Sequence, residues 1–246
     1  MDLTDKQRAR IRQLLRQRNN SEQIAKITRI DKGSVAAYTA SVTKEKELRK
    51  IREKLLIVEG TSESKEDKSE SMLLNELIRI LEPITKPRVV NVRGRKPFLD
   101  EMEKAEEMFI HISAHGKFRK GKRVCGTRIY FPSGKSVHSN DLKKLWKRRR
   151  KSKKPKLILL SACQTGQEDM AKALYEAGCR YFIAPEDNVY WFDAAIFLTV
   201  FYTLLLVEYH TPWVSFKKTV FGLKQIFPNL SGKWRFYDKG EKVTYE

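Results

Sequence analysis

From residue 54 to the carboxyl end, short β-rich apolar runs alternate with segments of helical periodicity. This alternation narrows the fold more than any other feature of the chain. Lys54 to Val58 (KLLIV), Arg88 to Val92, Met108 to Ser113 (MFIHIS), Leu157 to Leu160 (LILL), Tyr181 to Ala184 and Trp234 to Tyr237 have strand composition. Between them Met72 to Leu81, Phe98 to Ala105, Met170 to Ala177, residues 193–207 and residues 213–226 place apolar residues at helical intervals. The pattern predicts an α/β domain, a mostly parallel sheet flanked by helices on both faces. Ala194 to Val207 (AAIFLTVFYTLLLV) is apolar, but it is shorter than the roughly 20 residues a bilayer span needs. It reads as a buried helix, with no membrane partner.

A parallel sheet offers its sites at the carboxyl ends of its strands. MFIHIS runs into Ala114-His115-Gly116, and LILL runs into Ser161-Ala162-Cys163-Gln164-Thr165-Gly166. If these strands are parallel neighbours, His115 and Cys163 emerge at one edge, where an imidazole can keep a thiol as the nucleophilic thiolate. The backbone N–H groups of Gly116 and Cys163 are then placed to hold an oxyanion. Cys163 follows His115 at an interval close to the roughly 50 residues of caspase-type sites. Glu186 and Asp193, after the fifth strand, are candidates for a substrate pocket that reads a basic residue. An Asp in a first helical turn also acts as a cap. His111 has the inward phase of its strand, and His138 and His210 lack Cys or carboxylate neighbours at a useful spacing. Cys125 and Cys179 read as structural.

At these residues the domain resembles the caspase/separase clan of cysteine proteases, and most of all its CHAT branch. HISAHGKF is similar to the clan's His-Gly motif at a strand end, and LILLSACQTG to its nucleophile strand. Between them Ile129-Tyr130-Phe131, a turn at Pro132-Ser133-Gly134 and Val137 suggest a hairpin. A helix capped near Ser139 follows, with Leu142, Leu145 and Trp146 on one side. After the nucleophile, YFIAPEDNVYWFDAAIFLTVFYTLLL has the family's strand-then-helix arrangement. The resemblance spans residues 54–246. It implies a caspase-like fold and a thiol protease that cuts a protein substrate with His115 and Cys163, with no cofactor and no metal. Ser161 stands where the caspase pattern has Gln, which points away from caspase-like Asp specificity. A part in prokaryotic defence or stress is what this branch implies.

Residues 1–45 form a separate set of three helix candidates. Ile11, Leu14 and Leu15 share a face of the first. The second begins at Ser21 as N-cap and carries Ile24 and Ile27, and the third starts near Lys32 with Val35, Tyr38 and Val42. LTDKQRARIRQLL and SEQIAKITRIDKGSVAAYTASV resemble the homeodomain-like helix-turn-helix modules of prokaryotic regulators and transposases. That resemblance implies DNA contacts from Lys32, Ser34, Ala37 and Thr39, on a face poor in Arg, Asn and Gln. The alternative is an adaptor for protein or phosphate. Residues 46–53 read as a helical linker.

Fifty Lys and Arg against 30 Asp and Glu give a net charge of +20, which predicts a polyanionic partner. The excess concentrates in residues 1–50 and 101–150. The run from Lys143 to Lys156 (KKLWKRRRKSKKPK) reads as a solvated loop or as a polyanion site. TSESKEDKSE, residues 61–70, is a low-complexity loop. Three cysteines without C-x-x-C spacing form neither a disulfide framework nor a structural zinc site. MDLTDKQRARIRQLL has no apolar signal core, which predicts a cytoplasmic protein. The combined expectation is a cysteine endopeptidase localised or regulated by its helix-turn-helix module. The rival is a DNA-binding regulator with a non-catalytic caspase-like domain, and a third reading is an RNA-binding protein using the second basic region.

Overall fold

The computed structural model describes residues 3–16, 19–52, 55–61, 75–77, 79, 85, 87–120, 126–147, 149, 154–208 and 210–244. The chain divides into two compact units, Met1–Ile51 and Arg52–Glu246.

The first unit holds helices α1 (Asp5–Arg16), α2 (Ser21–Thr28) and α3 (Lys32–Arg52). Their core is Ile11, Leu14, Ile24 and Val35. Ile27, expected inside, is 52% exposed. The N-cap of α2 is Asn20 rather than Ser21. Gln23 N–H donates to Asn20 Oδ1 (2.9 Å) and Asn20 N–H to Gln23 Oε1 (2.9 Å), a reciprocal capping box. Arg29 closes α2 in the left-handed region (φ 57°). Asp31 then caps α3 by accepting the Ser34 N–H (2.8 Å), and this bond holds its carboxyl below the usual range. Residues 46–52 of the segment read as a helical linker continue α3, which runs to Arg52.

The second unit is an α/β structure built on a mixed sheet flanked by helices. Its strands are β1 (Leu55–Gly60), β2 (Arg88–Asn91), β3 (Phe109–Arg119), β4 (Gly126–Tyr130), β5 (Ser136–His138), β6 (Leu157–Ser161), β7 (Tyr181–Pro185), β8 (Trp234–Asp238) and β9 (Glu241–Lys242). The order is β2-β1-β3-β6-β7-β8-β9. The five strands from β2 to β7 in that order run parallel, whereas β8 and β9 pair antiparallel. The hairpin β4–β5 attaches antiparallel to the far half of β3. Continuous burial along β6 and along residues 109–114 of β3 explains the unbroken apolar runs, because a central parallel strand is covered on both faces.

Helices α4 (Arg95–Lys104), α5 (Ser139–Leu142) and α6 (Glu168–Ala177) contribute Phe98, Met102, Leu142, Met170 and Leu174 to one core. That core also takes Ile110, Ile112, Ile158 and Leu160 from the sheet. The other face meets α7 (Trp191–Tyr202), which widens into a π-helical turn at Thr203–Val207, and α8 (Pro212–Ile226), followed by α9 (Pro228–Ser231). Here Phe197 stacks on Trp234 (3.9 Å, 3°) and Tyr202 on His111 (5.8 Å). The apolar stretch 194–207 supplies Phe197, Phe201, Leu205 and Leu206 to this interior. No helix among the described residues is long and apolar enough to cross a membrane.

Most of the expected helix Met72 to Leu81 lies outside the described residues, where only 75–77 and 79 are helical. Residues 62–70 of the low-complexity loop, Cys125, and residues 148 and 150–153 of the basic run also lie outside them. The described part of that run is solvated only in part, with Lys144, Lys147 and Lys156 exposed. Trp146 is fully buried and donates from Nε1 to the Met102 carbonyl (2.6 Å). The Arg149 guanidinium donates to the carbonyls of Glu103 and Ala105, closing the end of α4 where a cation is favoured.

Candidate active site

Register decides what meets at the carboxyl edge of the sheet. β3 and β6 are parallel neighbours, with Ser113 opposite Ser161. His115 and Cys163 each lie two residues beyond that pair, His115 still on β3 and Cys163 in the turn that follows β6. At His115 the burial of β3 changes from continuous to alternating, because β6 has ended and the strand now pairs with β4 on its other edge. His115 is exposed and Cys163 is half-buried. The Trp191 ring, in the first turn of α7, meets the His115 ring edge-on (5.7 Å, 66°).

Gly116 brings the two chain segments into contact. A Cβ at this position would lie 2.4 Å from the Cys163 carbonyl oxygen, 2.5 Å from Thr165 Cγ2 and 3.0 Å from Ala162 Cβ. Only a glycine lets β3 pass this close to the cysteine turn. The Phe118 N–H donates to Gln164 Oε1 (3.2 Å), so it points away from β4 and toward the turn. Amide groups two residues apart on a strand share an edge, which aims the Gly116 N–H toward Cys163 as well.

The turn is held at every residue after the cysteine. Gln164 adopts φ 57°, and its N–H donates to the Asp187 carbonyl (3.1 Å). Thr165 Oγ1 donates to the Ala162 carbonyl (2.6 Å), and the Gly166 N–H to the Pro185 carbonyl (2.7 Å). Gly166 is a second forced glycine, since a Cβ there would sit 2.5 Å from the Ala184 carbonyl oxygen. The Tyr237 hydroxyl donates to the Gly166 carbonyl (2.7 Å). Cys163 Sγ itself lies 3.4 Å from the Val189 carbonyl, positioned to donate its proton there.

Behind this edge, His111 Nε2 and Ser161 Oγ are 3.0 Å apart, fully inside the protein. Burial pushes the His111 imidazole down to about 3, so it stays neutral. Burial likewise pushes the Cys179 thiol up to about 12, which removes it as a nucleophile. The His138 N–H donates to Asp141 Oδ2 (3.0 Å) at the start of α5, and His210 Nε2 is 2.8 Å from Lys218 Nζ.

One expectation for a substrate pocket changes. Glu186 is committed to Arg235 (2.5 Å) and Lys242 (3.2 Å), which fasten the end of β7 to β8 and β9. These cations hold its carboxyl below the usual range despite burial, and they occupy the charge that a basic substrate residue would need. Asp193 is half-buried in the first turn of α7. The aromatic ring that meets this edge is Trp191. Tyr190 is 78% and Phe192 65% exposed on either side of Trp191.

In the first unit, Lys32 is ion-paired with Glu22 (2.9 Å). Ser34 and Thr39 are half-buried, and the Thr39 hydroxyl is enclosed without a partner. Of the four residues expected to reach bases, only Ala37 presents an uncommitted side chain, and a methyl group reads little. A groove of about 380 Å³, lined by Lys6, Gln7, Arg10 and Ile27 among others, lies elsewhere on this unit.

No cluster of three or more His, Cys, Asp or Glu side chains able to hold a metal occurs among the described residues. No family model and no curated protein matches the chain.

Proposed function

We propose that this chain is a cysteine endopeptidase of the caspase/separase clan, CHAT type, in which His115 is the base and Cys163 the nucleophile. One observation carries the reading: His115 and Cys163 each stand two residues beyond Ser113 and Ser161, a pair on adjacent parallel strands, with Gly116 pressed against the Cys163 carbonyl. The thiol turns from the Val189 carbonyl toward His115, which takes its proton. Sγ then attacks the scissile carbonyl carbon. The N–H groups of Gly116 and Cys163 stabilise the oxyanion, while the Gln164 N–H is already engaged by Asp187. Collapse breaks the C–N bond, and His115 delivers the proton to the leaving amine. Water, deprotonated by the same imidazole, releases the acyl group.

The three helices of residues 1–45 serve in this reading as a helix-turn-helix module that localises or controls the protease. Its third helix has small or committed side chains where bases would be read, which favours phosphate or protein contacts over sequence-specific DNA binding.

The test is alkylation by iodoacetamide at neutral pH, followed by cleavage mapping in cells with Cys163→Ala as reference. Labelling that is confined to Cys163, depends on His115 and accompanies cuts absent from Cys163→Ala is the expected result. Equal labelling of all three cysteines, with identical peptide maps, would leave the rival DNA-binding regulator.

A further inference from the structure

The antiparallel ribbon beyond His115 carries a charge arrangement that its own stability does not require. Directly opposite residues of paired antiparallel strands put their side chains on one face. The register of β3, β4 and β5 therefore builds a row His115–Tyr130–Ser136 and, beside it, a row Lys117–Arg128–His138. Lys117 is exposed and Arg128 half-buried. Among the described residues, no carboxylate forms an ion pair with either. Arg128 Nε and the Tyr130 hydroxyl are both buried without a hydrogen-bond partner. Like charges directly opposite each other destabilise a sheet, and an enclosed N–H without an acceptor adds to the cost. His138 does not offset it, because its ring brings no negative charge, and burial followed by the Arg128 charge lowers its pKa. Two cations thus stand beside the candidate base, Lys117 exposed to solvent and Arg128 with its Nε enclosed and without an acceptor among the described residues.

Their position relative to the chemistry is set by the sheet. Phe131, just past β4, lies against Gly60 at the end of β1, whereas Gln164 of the cysteine turn meets β3 on the opposite edge. His115 therefore stands between Cys163 on one side and Arg128 on the other. As the diagonal neighbour of His115, Arg128 lies about 7 Å from it, Cβ to Cβ. In the reaction above the acyl half of the substrate stays on Sγ, and the amine half departs past His115, which is the side of β4. A distance of about 7 Å is spanned by about two extended residues.

We propose that Lys117 and Arg128 form a subsite for an acidic side chain, Asp or Glu, carried by the substrate within about two residues on the amine side of the scissile bond. The inference rests on the proteolytic reading and names its substrate class. The pairing would satisfy the enclosed Arg128 donor with a carboxylate, the acceptor that its planar fork fits best.

The experiment is cleavage of a peptide mixture by the full chain, read by mass spectrometry. Matched peptides carry Glu, Ala or Lys at the first two positions after the cut, and Cys163→Ala provides the background. The wild type is expected to cut Glu peptides about tenfold faster than Ala peptides, with Lys peptides slowest. Arg128→Gln should erase most of that preference, Arg128→Glu should turn it toward Lys, and Lys117→Gln, at an exposed position, should reduce it. Cuts that need Cys163 but ignore the charge after the bond, or a preference that survives both neutral substitutions, would overturn the subsite and leave the protease standing. No cut that depends on Cys163 in any peptide would overturn the protease and the subsite together.

Discussion

Replacing Gly116 by alanine puts a methyl carbon 2.4 Å from the Cys163 carbonyl oxygen and 2.5 Å from Thr165 Cγ2. Ordinary contact begins roughly 1 Å farther out. The obstacle on one side is backbone, so no rotamer change relieves it. The cysteine turn cannot yield freely either. The Gln164 and Gly166 N–H groups, the Thr165 hydroxyl and the Gly166 carbonyl are all bonded to fixed partners. Relief requires either β3 or the turn to shift by about 1 Å, the scale of overpacking that costs about 1–3 kcal/mol. For a unit of this size that corresponds to a melting temperature lowered by roughly 2–12 °C. The same displacement separates His115 from Cys163, and a misplacement of about 1 Å typically costs about 100-fold in rate. Gly116→Ala should therefore melt earlier and lose about two orders of magnitude in peptide cleavage, measured by scanning calorimetry and by initial rates. A variant with unchanged melting and unchanged rate would refute the close approach, and with it the claim that β3 and the cysteine turn form one site.

Cys163→Ala should abolish cleavage while leaving the melting temperature within about 2 °C, since its half-buried sulfur makes one weak hydrogen bond. Iodoacetamide should leave Cys179 unmodified in the native protein and label it only after unfolding, as its thiol is pushed up to about 12 by burial; peptide mapping reads this directly. His111, held at about 3 against a usual value of 6.5, is neutral when folded and takes up a proton when unfolded at pH values between these limits. It therefore lowers stability as the pH falls from about 6.5 toward about 3, by up to about 1.4 kcal/mol per pH unit. His111→Gln should flatten that limb in denaturant titrations by at most one proton. Asp169 accepts from the Thr127 N–H (2.8 Å), the Thr127 hydroxyl (2.5 Å) and the Ser139 hydroxyl (2.7 Å), tying β4 and α5 to the start of α6. Asp169→Ala should cost about 2–4 kcal/mol in urea unfolding.

The strands and the cysteine edge were legible in the sequence because burial on two faces writes a signal that needs no partner. FIHIS and LILLS read as strands covered on both faces of a parallel sheet, and that reading puts His115 and Cys163 at their ends. What was not legible depends on partners far along the chain. β3 continues to Arg119, although His-Gly-Lys-Phe-Arg reads like the start of a loop, because β4 supplies a second strand there and Gln164 supplies an acceptor. Trp146 is buried with Leu142 and Leu145, the side on which the sequence placed it, but the partners that hold it, Met102 and Glu103, stand 44 and 43 residues earlier. Glu186 follows its strand as a pocket residue would, but Arg235 and Lys242, about 50 residues on, neutralise it. The Lys117–Arg128 row is the reverse case. Neither residue stands out among the 50 Lys and Arg, and only the hairpin register sets them side by side next to His115. A cation that has found a carboxylate has a structural use. Arg128, half-buried with its Nε enclosed and no acceptor for it among the described residues, has no such use, and only the paired strands set the exposed Lys117 directly opposite it beside His115.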